Sequence, residues 1–289
     1  MDREPGHAFP LLESLSLQNL INLEMIFKGQ FTVESFCNLK FIKVEKCDKL
    51  KNDFSFSIAR GLPQLQTLEV IECSNMEMIF FPRNEDGIEE IYATESKDDF
   101  EDIYDDDSED DINNNEVIDK IAIVCIRSLT LKSLPILRSS CLKVTWSDKV
   151  VLEDELDSNI PLFGERVLFP RLEMLELAEI NVQNIWHNQL PSTYSSIQNL
   201  THLILRGCGK LKYIFASSIF RSFVKLQHLE ISHCAVLEEV IIMEELREEE
   251  RKGTILRNDK IFPRLECLVL KDLEKLTRFC SENYIEFPS

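Results

Sequence analysis

The chain has 289 residues, 44% of them hydrophobic and 29% charged, the balance of a protein that buries a sizeable core. Its net charge of −19 is a local feature: residues 84–119 hold 17 Asp and Glu against Lys97 alone, and the other 253 residues come to −3. The near-neutral remainder has no concentrated basic patch, which argues against nucleic acid. No apolar run approaches the roughly 20 residues of a membrane span, so no membrane insertion is expected.

The first ordered element reads as Leu12, Leu15 and Leu17, an apolar residue followed by apolar residues three and five places on. The same spacing returns at Leu39, Ile42, Val44, at Leu65, Leu68, Val70, and at Ile126, Leu129, Leu131. It returns again from Leu172, Leu200, Leu226 and Leu265, always with Leu or Ile at both later positions. Eight places after the start stands Cys47, Cys73, Cys208 or Cys234 in four copies, and Leu20, Leu134, Ile180 or Leu273 in the others. This is the L-x-x-L-x-L-x-x-N/C-x-L signature of a leucine-rich repeat. The fold class it predicts is an α/β solenoid, a horseshoe with a parallel sheet on the concave face and irregular or short helical outer segments.

The physical reason is that one repeat cannot bury its own leucines. Alternate side chains of each short strand point inward, and stacked neighbours bury them at roughly 1.5–3 kcal/mol per Leu before chain entropy. The residue eight places on turns the chain back inside, where a thiol can meet backbone groups that the bend leaves unpaired. Cys47, Cys73, Cys208 and Cys234 are therefore read as structural thiols.

Three blocks follow from the spacing. Residues 1–83 hold repeats from about 12, 39 and 65; residues 84–119 form an acidic insertion expected to be disordered. Residues 120–289 hold repeats from about 126, 172, 200, 226 and 265, with a charged insertion at 244–260 expected to carry a short helix. The long interval around Trp146 leaves room for a ninth repeat. A higher period is also present: copies opening with Phe9-Pro10, Phe169-Pro170 and Phe262-Pro263 carry Leu or Ile at the eighth place, and two Cys copies follow each of the first two. Phe9 follows no polar cap, and Phe287-Pro288-Ser289 reads as another opening, so the array is expected to be cut from a longer one at both ends.

The outward positions of the strands form the candidate partner-binding face: Lys43, Glu45, Lys46, Glu69, Glu72, Glu176, Glu179, Arg206, His228, Glu230, His233, Lys271 and Asp272. Cys208, His228, His233 and Cys234 invite a zinc reading, but the cysteines belong to the inward row and the histidines to the outward one. No metal and no cofactor is expected. Gly209-Lys210 fails the phosphate-loop spacing at both ends. Nothing joins a Ser or Cys nucleophile to a base with an orienting acid, so neither catalysis nor a small-molecule substrate is expected. Asn199-Leu200-Thr201 fits a glycosylation pattern, but Leu200 is an inward residue and no signal peptide precedes it.

Three blocks resemble a known family: Phe169-Pro170-Arg171-Leu172-Glu173 with Ile185-Trp186, Leu205 to Phe215, and Cys234 to Ile241. They are similar to the leucine-rich-repeat region of plant coiled-coil nucleotide-binding disease-resistance proteins. The resemblance implies a cytoplasmic, non-catalytic, effector-sensing and autoregulatory module acting in the defense response. Its implied partners are a pathogen effector or guarded host protein, and the nucleotide-binding domain of the same receptor. This sequence itself shows no P-loop and no leading coiled-coil heptads. The alternative is a substrate adaptor of a ubiquitin ligase or a free-standing protein-interaction scaffold.

Overall fold

The computed structural model describes residues 9–26, 35–55, 62–81, 121–122, 125–137, 161–163, 167–186, 197–242 and 261–280. The acidic block 84–119, the charged insertion 244–260 and the interval around Trp146 lie outside them. In chain order the strands are β1 (Ser14–Gln18), β2 (Phe41–Glu45), β3 (Asn52–Ser55), β4 (Thr67–Ile71) and β5 (Met78–Phe81). Then come β6 (Ile121–Ala122), β7 (Ser128–Leu134), β8 (Val167–Leu168), β9 (Met174–Ile180) and β10 (His202–Arg206). The last are β11 (Phe215–Ala216), β12 (His228–Ser232), β13 (Glu239–Ile242), β14 (Cys267–Lys271) and β15 (Arg278–Cys280).

One strand from each copy of the motif joins an eight-stranded sheet in the order β1-β2-β4-β7-β9-β10-β12-β14. Every pairing is parallel, and the sequence alignment of the copies is also their spatial register. Leu15 lies opposite Ile42, Ile42 opposite Leu68, and so on through Leu129, Leu175, Leu203 and Leu229 to Leu268. A backbone ladder enters the sheet the same way at each step: the amide of Lys40 donates to Glu13, Gln66 to Lys40, Arg127 to Gln66 and Glu173 to Arg127.

The two long intervals do not interrupt this stack. β4 pairs directly with β7 across the acidic block, Leu68 beside Leu129. β7 pairs directly with β9, Leu129 beside Leu175. The ninth repeat that the spacing allows falls in the interval around Trp146, outside the described residues.

The inward rows make one continuous core. Ile42, Val44, Leu68, Val70, Leu175, Leu177, Leu203, Leu205, Leu229 and Ile231 are fully buried. The end repeats are less covered, with Leu268 and Leu270 of the eighth copy 37% and 38% exposed. On the outer side, short parallel ladders stand where irregular or helical segments are predicted: β3 with β5, β6 with β8, and β11 with β13 and β15. A 3-10 turn stands at Phe220–Ser222. Aromatic rings fill the space behind the sheet. Phe215 meets Phe223 edge-on at 4.8 Å, Phe223 meets Trp186 at 5.5 Å, and Trp186 stacks on Phe163 at 5.4 Å.

The higher period also has a structural counterpart. In each Phe-Pro round the asparagine before the next copy donates to the proline carbonyl, Asn38 to Pro10 at 2.8 Å and Asn199 to Pro170 at 2.7 Å. Lys225 donates to the Oδ1 atom of Asn199 at 2.7 Å, so the amide of the sequon is occupied by internal contacts.

Candidate protein-binding face

Eight of the thirteen candidate residues stand at outward strand positions as expected: Lys43 and Glu45 on β2, Glu69 on β4, Glu176 on β9, Arg206 on β10, His228 and Glu230 on β12, and Lys271 on β14. Parallel pairing in register places Lys43, Glu69, Thr130, Glu176, Ile204 and Glu230 in one row across the sheet. The row beside it runs Glu45, Ile71, Lys132, Ala178, Arg206, Ser232, Lys271.

Across β7, β9, β10 and β12 these side chains form an ionic ladder. Glu176 takes Lys132 at 2.9 Å and Arg206 at 2.6 Å, both on Oε1. Arg206 also grips Glu230 with two nitrogens, at 2.7 Å and 3.0 Å. His228 lies 3.8 Å from the same carboxylate. Glu176 is only 7% exposed, which two cations make tolerable where one unpaired carboxylate would not be. The hydrogen bond from Arg206 holds the Glu230 carboxyl below its ordinary range, against the opposing effect of burial, and the same bond raises Arg206. On β2, the hydrogen bond from Lys43 likewise lowers the Glu45 carboxyl.

Two participants were not singled out from the sequence. Lys132 occupies the same outward offset as Glu45 and Arg206, so that offset could have found it. His202 stacks on His228 with centroids 5.6 Å apart and planes at 24°. His202 and His228 each stand two places after their motif starts, so the alignment of the copies could have found that neighbour relation.

The other five candidates lie elsewhere. Lys46, Glu72, Glu179, His233 and Asp272 all have positive φ, between 51° and 57°. They stand seven places after each motif start: Lys46, Glu72, His233 and Asp272 directly follow their strands, and Glu179 is the last residue but one of β9. Their equivalents Asn19, Ser133 and Gly207 share this backbone, so the column is left-handed in all eight copies. The placement on the sheet face is corrected: the turn sends these side chains to the rim of the sheet. There Lys46 pairs with Glu72 at 3.5 Å, Ser133 donates to Glu179 at 2.7 Å, and His233 faces Asp272 at 3.0 Å.

The inward cysteines meet carbonyl groups as the turn requires. Each lies within thiol hydrogen-bond reach of the carbonyl two residues before it: Cys47 to Glu45 at 3.5 Å, Cys73 to Ile71 at 3.4 Å, Cys208 to Arg206 at 3.7 Å and Cys234 to Ser232 at 3.5 Å. All four are fully buried. Contact with Cys234, and then burial, push the Cys208 thiol far above the ordinary range. A thiol in that state is a poor nucleophile. Alkylation of the native protein with iodoacetamide is therefore expected to label Cys37, Cys125 and Cys267 well before these four, as read by peptide mass spectrometry. Early labelling of Cys208 or Cys234 would contradict the buried placement.

A family model described as plant disease resistance protein RPS2-like, leucine-rich repeats, matches residues 3–74 and 171–288, well over half of the chain. The chain belongs to this family. It is also 42% identical over 74 residues to Probable disease resistance protein At4g27220 of Arabidopsis thaliana, a match taking in 25% of this chain and 8% of that relative. The chain thus spans a small part of the length of that relative. No solved structure matches the chain. The sheet of repeats described above is the family's leucine-rich-repeat architecture, and the region is a defense-related repeat module. No helix among the described residues is long and apolar enough to cross a membrane.

Proposed function

We propose that this chain is the effector-sensing and autoregulatory part of a cytoplasmic plant immune receptor, acting by protein contact without catalysis. The observation that carries the reading is the sheet itself. Strands in register gather Lys132, Glu176, Arg206 and Glu230 on one stretch of the sheet, and these side chains are ordered by mutual pairing before any partner arrives. Side chains already held in place lose little conformational entropy on binding, which favours protein recognition. The partners would be a pathogen effector or guarded host protein on the open face, and the nucleotide-binding domain of the receptor where the full-length protein has one. A partner that prefers one arrangement of the receptor would shift its population toward that arrangement.

Proximity labelling in leaf cells tests the face directly. The wild-type chain and a Glu69→Lys, Glu230→Lys variant are expected to label different protein neighbours, because reversal turns two attractive positions into repulsive ones. Identical neighbours would overturn the assignment of binding to this face. Sequencing the transcript through both ends tests the receptor assignment: a frame joined to a nucleotide-binding domain supports it. A transcript encoding repeats alone would favour a free-standing scaffold.

A further inference from the structure

Parallel pairing sets two histidines side by side on the sheet face. His202 on β10 lies opposite His228 on β12, and their rings stack with centroids 5.6 Å apart and planes at 24°. His202 is exposed and His228 half-buried, both outside the inward row that holds Cys208 and Cys234. A neutral imidazole has one nitrogen that donates and one that carries a lone pair. The bond made by one nitrogen decides what the other offers.

For His202 that bond is defined by its neighbour. The Thr201 hydroxyl donates its single proton to the Glu173 carbonyl at 2.9 Å. The same oxygen lies 2.9 Å from Nδ1 of His202. With its proton committed, Thr201 accepts there, so Nδ1 of His202 carries the hydrogen and Nε2 keeps a lone pair. Nε2 meets no partner among the described residues. On His228, Nε2 lies 3.8 Å from the Glu230 carboxylate, which favours a proton on that nitrogen and leaves the lone pair on Nδ1. An imidazole steadied through one nitrogen, with the other lone pair available, is in the state that metal-ligating histidines adopt.

We propose that His202 and His228 form a two-imidazole site for an exchangeable divalent transition ion of the zinc, nickel and copper class, with Thr201 and Glu230 positioning the rings. Imidazole nitrogen suits those ions, whereas calcium and magnesium seek oxygen. Metal–nitrogen bonds of about 2.0–2.1 Å require the two rings to turn toward a common point, a rotation about side-chain bonds on the open side of the sheet. Among the described residues no group of three or more His, Cys, Asp and Glu side chains is gathered to hold an ion. The pair therefore supplies two ligands and water the rest. Such an ion leaves positions open to a donor from a protein bound on the same face.

Isothermal titration of Ni2+ into the whole, tag-free chain tests the site. The expected result is one tightly bound ion per chain. Affinity should fall about a hundredfold in His202→Gln and in His228→Gln, because the second imidazole acts as an intramolecular ligand. Thr201→Val should lose about tenfold, the order expected for an outer partner of a ligand, and Thr201→Ser should keep wild-type affinity. Circular dichroism checks that all four variants fold. Ni2+ should also protect His202 and His228, but not His233 on the rim, from diethyl pyrocarbonate, as read by peptide mass spectrometry. Absence of binding, or of protection at this pair, would overturn the proposal. So would equal affinity in wild type and both histidine variants, which would assign the ion to the acidic residues 84–119. Unchanged affinity in Thr201→Val would overturn the positioning of His202 by the hydroxyl.

Discussion

Leu203→Ala is expected to lower the unfolding free energy by about 2–5 kcal/mol, whereas Leu268→Ala should cost less than half as much. Both leucines occupy the same place in the motif and the same row of the sheet. They differ in what covers them: Leu203 is fully buried between β9 and β12, while Leu268 is 37% exposed. The transfer term scales with the area removed from water, and the cavity term needs walls on every side. Because each repeat touches only its neighbours, damage at β10 also weakens two repeat interfaces, which makes the central substitution the largest single-residue effect expected here. Urea unfolding of both variants checks it. Equal losses would mean that the eighth repeat is covered in solution as fully as the sixth.

The second large effect is expected at Glu176. Glu176→Ala removes the carboxylate that holds both Lys132 and Arg206, leaving two cations that flank β9 without the charge between them. Loss of one partner from a buried pair costs about 3–5 kcal/mol. Lys132 and Arg206 retain 32% and 43% side-chain exposure, so solvent screening reduces the expected loss to about 1–3 kcal/mol. Double substitution with Lys132→Met should recover part of it, since the repulsion then has only one member. Denaturant midpoints for the single and double variants check both statements; a double variant no more stable than the single would refute the ladder.

The same ladder gives stability a pH dependence with a definite sign. Glu230 has its carboxyl lowered in the folded chain, first by the hydrogen bond from Arg206, against burial. Its contribution is fully present above the ordinary carboxylate value of about 4.3 and is lost as the pH falls from there through the lowered folded value.

The repeat frame was legible because burial in a stacked array imposes the same demand on every copy. Leu15, Ile42, Leu68 and their successors are alike in sequence because they are alike in place, and their register follows from the alignment. The cysteine row was legible for the same reason: each thiol serves an identical carbonyl. The candidate face was legible only where the period-two alternation of a strand holds. It fails at Lys46, Glu72, Glu179, His233 and Asp272, because outward alternation presumes extended φ and these residues are left-handed. The signal that could have marked them was weak. Only Gly207 in that column is a glycine, so the usual residue cue for positive φ is present in one copy of eight. The outer ladders were missed because β11 and β13 are too short, and too buried on both sides, to alternate visibly.

That left-handed column constrains what variation the rim can accept. Asn, Lys, Glu, Ser, Glu, Gly, His and Asp occupy it, and none is branched at Cβ. Branched side chains collide with the backbone in this conformation, whereas unbranched polar ones bear a modest and similar cost. The backbone therefore acts as a filter that is indifferent to charge but strict about shape. Acid, base, amide and hydroxyl can replace one another along the rim at nearly constant conformational energy, and the scaffold beneath would not register the exchange.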